Sequence, residues 1–118
     1  MIKLPLLTMS QAWWLLGLAI VAECAGTTSM RLSDGFSRLT PSVLIFVFYA
    51  VAFALNTMII RTLGLSITYA VWSGAGTVIT AAIGFLYFKE PVTAVKMVSI
   101  GLIVAGVVGL HLSAKPLS

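Results

Sequence analysis

The sequence predicts an all-α membrane protein with four transmembrane helices in one domain spanning residues 1–118. Three observations support this prediction. Hydrophobic residues make up 60% of the chain and charged residues only 8%, whereas a soluble domain has about 25% charged residues. The apolar residues form four segments near the ~20 residues that a helix needs to cross a bilayer. Short polar stretches separate these segments, so successive helices must pack antiparallel.

The four predicted helices cover about residues 10–30, 41–61, 66–88 and 93–112. Helix 1 begins at Ser10, a residue type that favours the N-cap, and ends near Arg31. Helix 2 begins with Pro41, because the missing N–H of proline costs nothing in the first helical turn. The connections around Gly64 and around Pro91 delimit helices 3 and 4.

The apolar run after Lys3 is similar to a secretory signal, with Cys24 in the position of a lipoprotein cysteine. Glu23 stands immediately before this cysteine, where cleavage requires a small residue. Three more hydrophobic segments follow. We therefore expect the first segment to be a transmembrane helix.

Composition excludes several functional classes. One cysteine, Cys24, cannot form a disulfide within the chain, and one histidine, His111, leaves no His-rich or multi-cysteine metal site. The net charge of +4 is not concentrated in a Lys/Arg run, as nucleic-acid binding requires. There is no Gly-rich phosphate loop and no Ser/His/Asp set. We expect no enzymatic activity, no cofactor and no metal.

Lys and Arg divide almost evenly between the two predicted sides of the membrane. One side has Lys3, Arg61 and Lys115, and the other has Arg31, Arg38, Lys89 and Lys96. The positive-inside rule needs an asymmetry to orient a membrane protein. Two interpretations remain open. Either another signal orients the chain, or copies insert in both directions and pair antiparallel.

Glu23 lies in the middle of the first apolar segment. A charge at bilayer depth costs between about 2.5 and more than 10 kcal/mol and usually marks a functional site. Desolvation favours the neutral form of a carboxylic acid, so Glu23 could hold a proton or a cation, but not both. Such competition is sufficient for exchange transport. The alternative, a structural ion pair, lacks a Lys or Arg inside any predicted segment.

Several polar and aromatic residues share predicted helix faces with Glu23 or with one another. Aromatic rings beside a carboxylate form a suitable site for a lipophilic or delocalised cation. Aromatic residues near helix ends can instead anchor a protein at the membrane interface, so that interpretation also remains open. The predicted substrate- and proton-binding residues are Glu23, Thr27, Trp13, Tyr49, Phe53, Tyr69, Trp72 and Ser73.

Four short helices leave little room for a ligand cavity of about 300–1,000 Å³. A homodimer would solve this problem, with two Glu23 side chains converging between the subunits. Helix 4 has Ser99 and Gly106 seven residues apart, and small residues at such spacing let helices approach closely. Both self-association and packing within the chain fit this pattern. Antiparallel subunits that exchange two shapes would provide alternating access.

Four segments together resemble the small multidrug resistance family over nearly the whole chain. They are residues 22–28 (AECAGTT), 33–42 (SDGFSRLTPS), 68–76 (TYAVWSGAG) and 88–91 (FKEP). The resemblance implies an antiparallel homodimer in the bacterial inner membrane that exchanges cationic drugs for protons. It matches Glu23 with the essential carboxylate of the family. It also matches Tyr69 and Trp72 with substrate-stacking aromatic residues, and Ser73 with a neighbouring polar residue.

Two positions indicate the subtype. The guanidinium-exporting branch usually has a tryptophan three residues after the glutamate and a threonine after the helix 3 tryptophan. This chain has Gly26 and Ser73 there, which is similar to the quaternary-ammonium branch. The expected function is proton-coupled export of quaternary ammonium and other lipophilic or aromatic cations. Alternatives are a narrow exporter of guanidinium-type or polyamine cations, or one subunit of a paired transporter. They remain open because four residues depart from the family pattern: Trp13, Asn56, Ser66 and Thr68.

Overall fold

The computed structural model describes residues 5–113. These residues form four α-helices, α1 (Met9–Leu32), α2 (Leu39–Leu63), α3 (Leu65–Leu86) and α4 (Ala94–Ser113). Each helix is long and apolar enough to cross a membrane, which confirms the predicted fold class of an all-helical protein with four transmembrane helices. Lys3 and Lys115, which enter the charge comparison above, lie outside the described residues.

Helix α1 begins with a capping box at Thr8. The Thr8 hydroxyl accepts a hydrogen bond from the Gln11 N–H at 3.1 Å, and the Gln11 side chain accepts one from the Thr8 N–H at 3.0 Å. The prediction of Ser10 as the N-cap is wrong. A capping box needs Glu or Gln three residues after the cap, and Trp13 follows Ser10 at that distance.

Helices α2 and α3 are connected by a single residue, Gly64. Its φ of 86° lies in the region that favours glycine. The Gly64 N–H donates to the Ile60 carbonyl at 2.9 Å, and the Gly64 carbonyl accepts from the Thr68 N–H at 3.2 Å. The chain therefore leaves one helix and enters the next without losing either backbone hydrogen bond.

The core of the subunit lies along the interface between α1 and α2. Ala12 and Ala19 of α1 and Ala52 of α2 are fully buried, and small side chains of this kind let two helices approach closely. Helix α3 packs on this pair, with Trp72 against the core cluster. The cluster comprises Ala12, Leu16, Ala19, Ile20, Cys24, Ile59 and Leu63.

Helix α4 is the most exposed element, and none of its residues is buried. It packs mainly against α3, where a Cβ at Gly74 would lie 2.5 Å from Val107 Cγ2. A Cβ at Gly106 would meet no atom within 4 Å, and Ser99 is exposed. Packing within the described chain therefore does not occupy the surface at Ser99 and Gly106, and their role in a subunit interface stays a prediction.

Candidate functional site

Glu23 lies partly buried in the middle of α1, and its carboxylate accepts hydrogen bonds from side chains of two helices. Thr27 lies one helical turn further along α1, and its hydroxyl donates to Glu23 Oε1 at 3.0 Å. The Tyr49 hydroxyl of α2 donates to the same oxygen at 3.4 Å. The Cys24 thiol donates to Oε2 at 3.6 Å. All three donors are uncharged, and within residues 5–113 hydrogen bonds rather than an ion pair hold this carboxylate in place.

The two hydroxyl groups beside Glu23 also contact each other, because Thr27 Oγ1 lies 2.8 Å from the Tyr49 hydroxyl. A hydroxyl can both donate and accept a hydrogen bond. It can therefore donate to an ionised carboxylate or accept from a protonated one. The network at Glu23 can serve both protonation states without a change in side-chain positions.

Gly26 allows the Tyr49 ring to reach Glu23. A Cβ at position 26 would lie only 2.8 Å from two carbon atoms of that ring, Cδ2 and Cε2. Such a contact is closer than carbon atoms tolerate without movement. The small residue at position 26 therefore decides which α2 side chain lies beside the carboxylate.

Helix α3 approaches the other carboxylate oxygen through Gly76. A Cβ at this position would lie 3.0 Å from Glu23 Oε2. Cys24 is 4% exposed and joins the same contact, with its sulfur 3.9 Å from the Gly76 carbonyl oxygen and 3.6 Å from Thr80 Oγ1. The sequence analysis gave Cys24 no part in the site, whereas the structure places its thiol between α1 and α3.

A cavity of about 490 Å³ opens beside the carboxylate, between α1 and α3. This volume lies within the range of about 300–1,000 Å³ that is common for ligand sites. Five of the predicted site residues line the cavity together: Glu23, Thr27, Tyr69, Trp72 and Ser73. The sequence analysis missed the other five lining residues, which are Gly76, Thr77, Thr80, Ala81 and Glu90.

Helical spacing in the sequence predicts four of these five residues. Gly76, Thr77, Thr80 and Ala81 follow Ser73 at intervals of three and four residues, which places them on one face of α3. The same rule that placed Tyr69 and Ser73 together applies to them. Glu90 lies in the connection after α3, where helical spacing makes no prediction.

Four aromatic rings form a continuous series from the Glu23 carboxylate to Tyr69, near the N-terminal end of α3. The centroid of the Tyr49 ring lies 5.7 Å from that of Phe53, which lies 6.0 Å from that of Trp72. The Trp72 centroid lies 5.6 Å from that of Tyr69. Tyr49 and Phe53 lie outside the cavity lining. Tyr49 instead contacts the carboxylate through its hydroxyl group. Phe53 packs against Trp72 with the two rings nearly perpendicular, and this contact holds the Trp72 ring in position.

Trp13 is the one predicted binding residue that the structure does not bring to this cavity or to the residues behind it. Its ring contacts His111 of α4, with 5.6 Å between the centroids. Trp13 lines a second, larger cleft of about 1180 Å³, which Tyr69 also borders. No carboxylate lines that cleft, so the smaller cavity has the chemistry that binds a cation. The described residues contain no group of three or more His, Cys, Asp or Glu that could hold a metal ion.

Thr27→Val should lower cation affinity at neutral pH by about tenfold, because it removes the shortest hydrogen bond to the carboxylate while keeping the side-chain volume. Hydrogen bonds to charged groups contribute roughly 1.5–3 kcal/mol, and a tenfold change corresponds to about 1.4 kcal/mol. Calorimetric titration with tetraphenylphosphonium measures the effect. Thr27→Ser retains the hydroxyl and is the matched control. Equal affinities for the Val and Ser variants would show that this hydrogen bond does not matter.

Comparison with known proteins relates this chain to a family of membrane transporters. The family model described as Small Multidrug Resistance protein matches residues 11–103. Multidrug resistance protein EbrA of Bacillus licheniformis is 43% identical over 81% of this chain and 91% of its own length. Quaternary ammonium compound-resistance protein QacE of Escherichia coli is 38% identical over 89% and 96% of the two chains. A guanidinium exporter of Salmonella typhimurium is 37% identical over 87% and 98%.

Proposed function

The chain belongs to the Small Multidrug Resistance family of membrane transporters, and we propose that it is a proton-coupled antiporter that exports quaternary ammonium and other lipophilic or aromatic cations. It is a multi-pass protein of the bacterial inner membrane. One observation carries the proposal. The Glu23 carboxylate, which accepts hydrogen bonds from the uncharged side chains of Thr27, Tyr49 and Cys24, lies at the wall of a cavity that Tyr69 and Trp72 also line.

Competition at Glu23 would couple the two fluxes. An ionised Glu23 attracts a cation, whose delocalised charge also interacts with the faces of Trp72 and Tyr69. A protonated Glu23 is neutral and loses this attraction. Because one carboxylate cannot hold a proton and neutralise a bound cation at the same time, arrival of the cation would release the proton. The hydroxyls of Thr27 and Tyr49 would support both states of the carboxylate.

The position of the Tyr49 ring supports a site for bulky cations. A tryptophan at position 26, which is usual in the guanidinium-exporting branch, would occupy the space that this ring fills. With Gly26, the Tyr49 ring fills this space against α1, and its hydroxyl reaches Glu23 from outside the cavity lining. The names of the relatives EbrA and QacE agree with multidrug and quaternary ammonium substrates.

A second candidate function is export of guanidinium-type or polyamine cations. The hydroxyl groups of Ser73, Thr77 and Thr80 line the cavity and could accept hydrogen bonds from N–H groups of such substrates. A guanidinium exporter is also among the similar proteins. Tetraalkylammonium and tetraphenylphosphonium ions have no N–H groups, so a comparison of these ions with guanidinium separates the two candidates.

We also propose that the transporter is an antiparallel homodimer. The apolar surface of α4 is unburied in the single subunit, and Gly106 lies on it with open space where a Cβ would project. A second subunit would cover this surface and enlarge the substrate cavity. The near balance of Lys and Arg on the two sides of the membrane agrees with insertion in both directions. Pairing with a homologous chain is the alternative.

The test of the transport proposal is proton release on ligand binding. Purified protein in weak buffer near neutral pH is titrated with tetraphenylphosphonium and, in a separate experiment, with guanidinium. We expect proton release with tetraphenylphosphonium and none with this ion in Glu23→Gln. Release with guanidinium alone would favour the narrow exporter. Release with neither ion would contradict both candidates and would point to a subunit that needs a partner chain.

A further inference from the structure

We propose that Glu90 is a second cation-binding residue of the Glu23 cavity, and that this cavity binds linear cations with a positive charge at each end. The inference rests on the proposed function, because it adds a substrate class and a specificity-determining residue to the same site. Glu23 and Glu90 are the two carboxylates that line the cavity, and they belong to different parts of the chain. Glu23 lies in α1, and Glu90 lies in the connection between α3 and α4.

Each carboxylate packs against a glycine of α3. Glu23 Oε2 would lie 3.0 Å from a Cβ at Gly76, and Glu90 Oε1 would lie 2.6 Å from a Cβ at Gly84. Both glycines are buried. A side chain at either position would displace the carboxylate from the helix. The absence of a side chain at these two positions therefore places two negative charges along one side of α3.

The two glycines also set the distance between the charges. Gly76 and Gly84 are eight residues apart in an α-helix, which corresponds to about 12 Å along the helix axis. Thr80 lies midway between them, and its hydroxyl donates to the Cys24 sulfur at 3.6 Å. The intervening wall consists of small, uncharged side chains: Thr77, Thr80 and Ala81. A slim alkyl chain can lie along such a wall and place one cationic end at each carboxylate.

The backbone turn after α3 holds Glu90 at the cavity. Lys89 has a φ of 56°, which turns the chain back over the end of the helix. The Glu90 N–H then donates to the Gly84 carbonyl at 2.9 Å. The position of the carboxylate thus follows from a defined turn and from contact with Gly84.

Two basic side chains near this turn, Lys96 and Arg31, have other partners. Lys96 Nζ donates to the Pro91 carbonyl at 2.8 Å and lies 5.9 Å from the centroid of the Phe85 ring. The Arg31 guanidinium lies over the Phe88 ring, 4.9 Å from its centroid. None of these contacts involves the Glu90 carboxylate, and Glu90 is exposed to a cation from solution.

The test uses a series of bis(trimethylammonium)alkanes with chains of two to twelve carbons, each compared with the singly charged trimethylammonium alkane of equal length. Affinity is measured by displacement of tetraphenylphosphonium from the purified full-length protein. We expect the increase in affinity that the second charge provides, called the gain below, to be largest where the two charges are about 12 Å apart. At that length it should reach about fivefold, the value for an ion pair near 4 Å in a water-like environment. High salt should reduce this gain, because Glu90 is exposed.

Glu90→Gln should remove the gain from the second charge, whereas Glu90→Asp should keep part of it. Gly84→Ala retains the charge but should also reduce the gain, because the new methyl group displaces the carboxylate. Asp34→Asn is the matched control. It removes a carboxylate from another interhelical connection, outside the cavity lining, and should leave the length dependence unchanged.

Three outcomes would overturn the inference. One is a wild-type protein that shows no gain from the second charge at any length. Another is a gain that persists unchanged in Glu90→Gln, which would mean that a group other than Glu90, such as the Glu23 carboxylate of a second subunit, binds the second charge. The third is a loss of the gain in Asp34→Asn that equals the loss in Glu90→Gln, which would indicate general electrostatic attraction. Failure of the proposed function is distinguishable, because tetraphenylphosphonium would then neither bind nor release a proton in the wild-type protein.

Discussion

Glu23→Gln is expected to abolish measurable cation binding and proton-driven transport at every pH. Glutamine has nearly the same shape as glutamate and can keep the hydrogen bonds with Thr27 and Tyr49, so the change removes the charge with little disturbance of packing. Two unit charges 4 Å apart interact by about 4 kcal/mol at an effective dielectric constant of 20, which corresponds to roughly a thousandfold in affinity. Neither the aromatic rings nor the hydroxyl groups of the cavity can replace that attraction.

This result is measured in two assays. Calorimetric titration with tetraphenylphosphonium across a pH series gives affinity, and substrate uptake by liposomes with a pH gradient gives transport. The control is Glu23→Asp, which keeps the charge on a shorter side chain and should retain weakened, pH-dependent binding. Binding by Glu23→Gln with an affinity near that of the wild type would show that another group neutralises the cation.

Gly76→Val is expected to lower cation affinity by more than tenfold although it changes no charged or aromatic residue. A Cβ at position 76 would already lie 3.0 Å from Glu23 Oε2, and the two additional methyl groups of valine need further space. The carboxylate would have to move away from α3, and its hydrogen bonds with Cys24 and Tyr49 would then be strained or lost. Losing one such bond to a charged group costs about 1.5–3 kcal/mol, which exceeds a tenfold change in affinity.

The matched control for this prediction is Gly17→Val. Gly17 also lies inside a predicted transmembrane helix, but a Cβ at this position would meet no atom within 4 Å. The two variants share the same change in helix propensity, so a difference between them reports the contact with Glu23. If both variants bind tetraphenylphosphonium as the wild type does, the close contact between Gly76 and the carboxylate is not required for binding.

The sequence predicted correctly the features that depend on neighbours along the chain. Hydropathy located four helices, because a membrane-spanning segment must be apolar over its whole length. The sequence also singled out Glu23, because a carboxylate in such a segment is costly, and its role in binding stays a prediction. Its hydrogen bond with Thr27 follows from a spacing of four residues in one helix. The grouping of Tyr69, Trp72 and Ser73 along one cavity follows from the same periodicity in α3.

Helical periodicity did not predict which residues of different helices contact each other. Trp13 and Glu23 share a face of α1, yet Trp13 lies ten residues away and contacts His111 at the end of α4. Tyr49 and Phe53 share a face of α2, but only Tyr49 bonds to the carboxylate, while Phe53 contacts Trp72. Periodicity shows which residues lie on one face of a helix. It does not show how far along that face a neighbouring helix makes contact.

By itself, the sequence determined that this protein crosses the membrane four times and has one carboxylate deep in its first span, because hydropathy and helical periodicity are local properties of the chain. Only the tertiary structure decided which groups surround that carboxylate. Tyr49 reaches it past Gly26, Gly76 approaches it from α3, and Glu90 joins the cavity through the turn at Lys89. These contacts depend on the rotation and axial offset of packed helices, and close packing at glycines sets both quantities through atoms far apart in the chain.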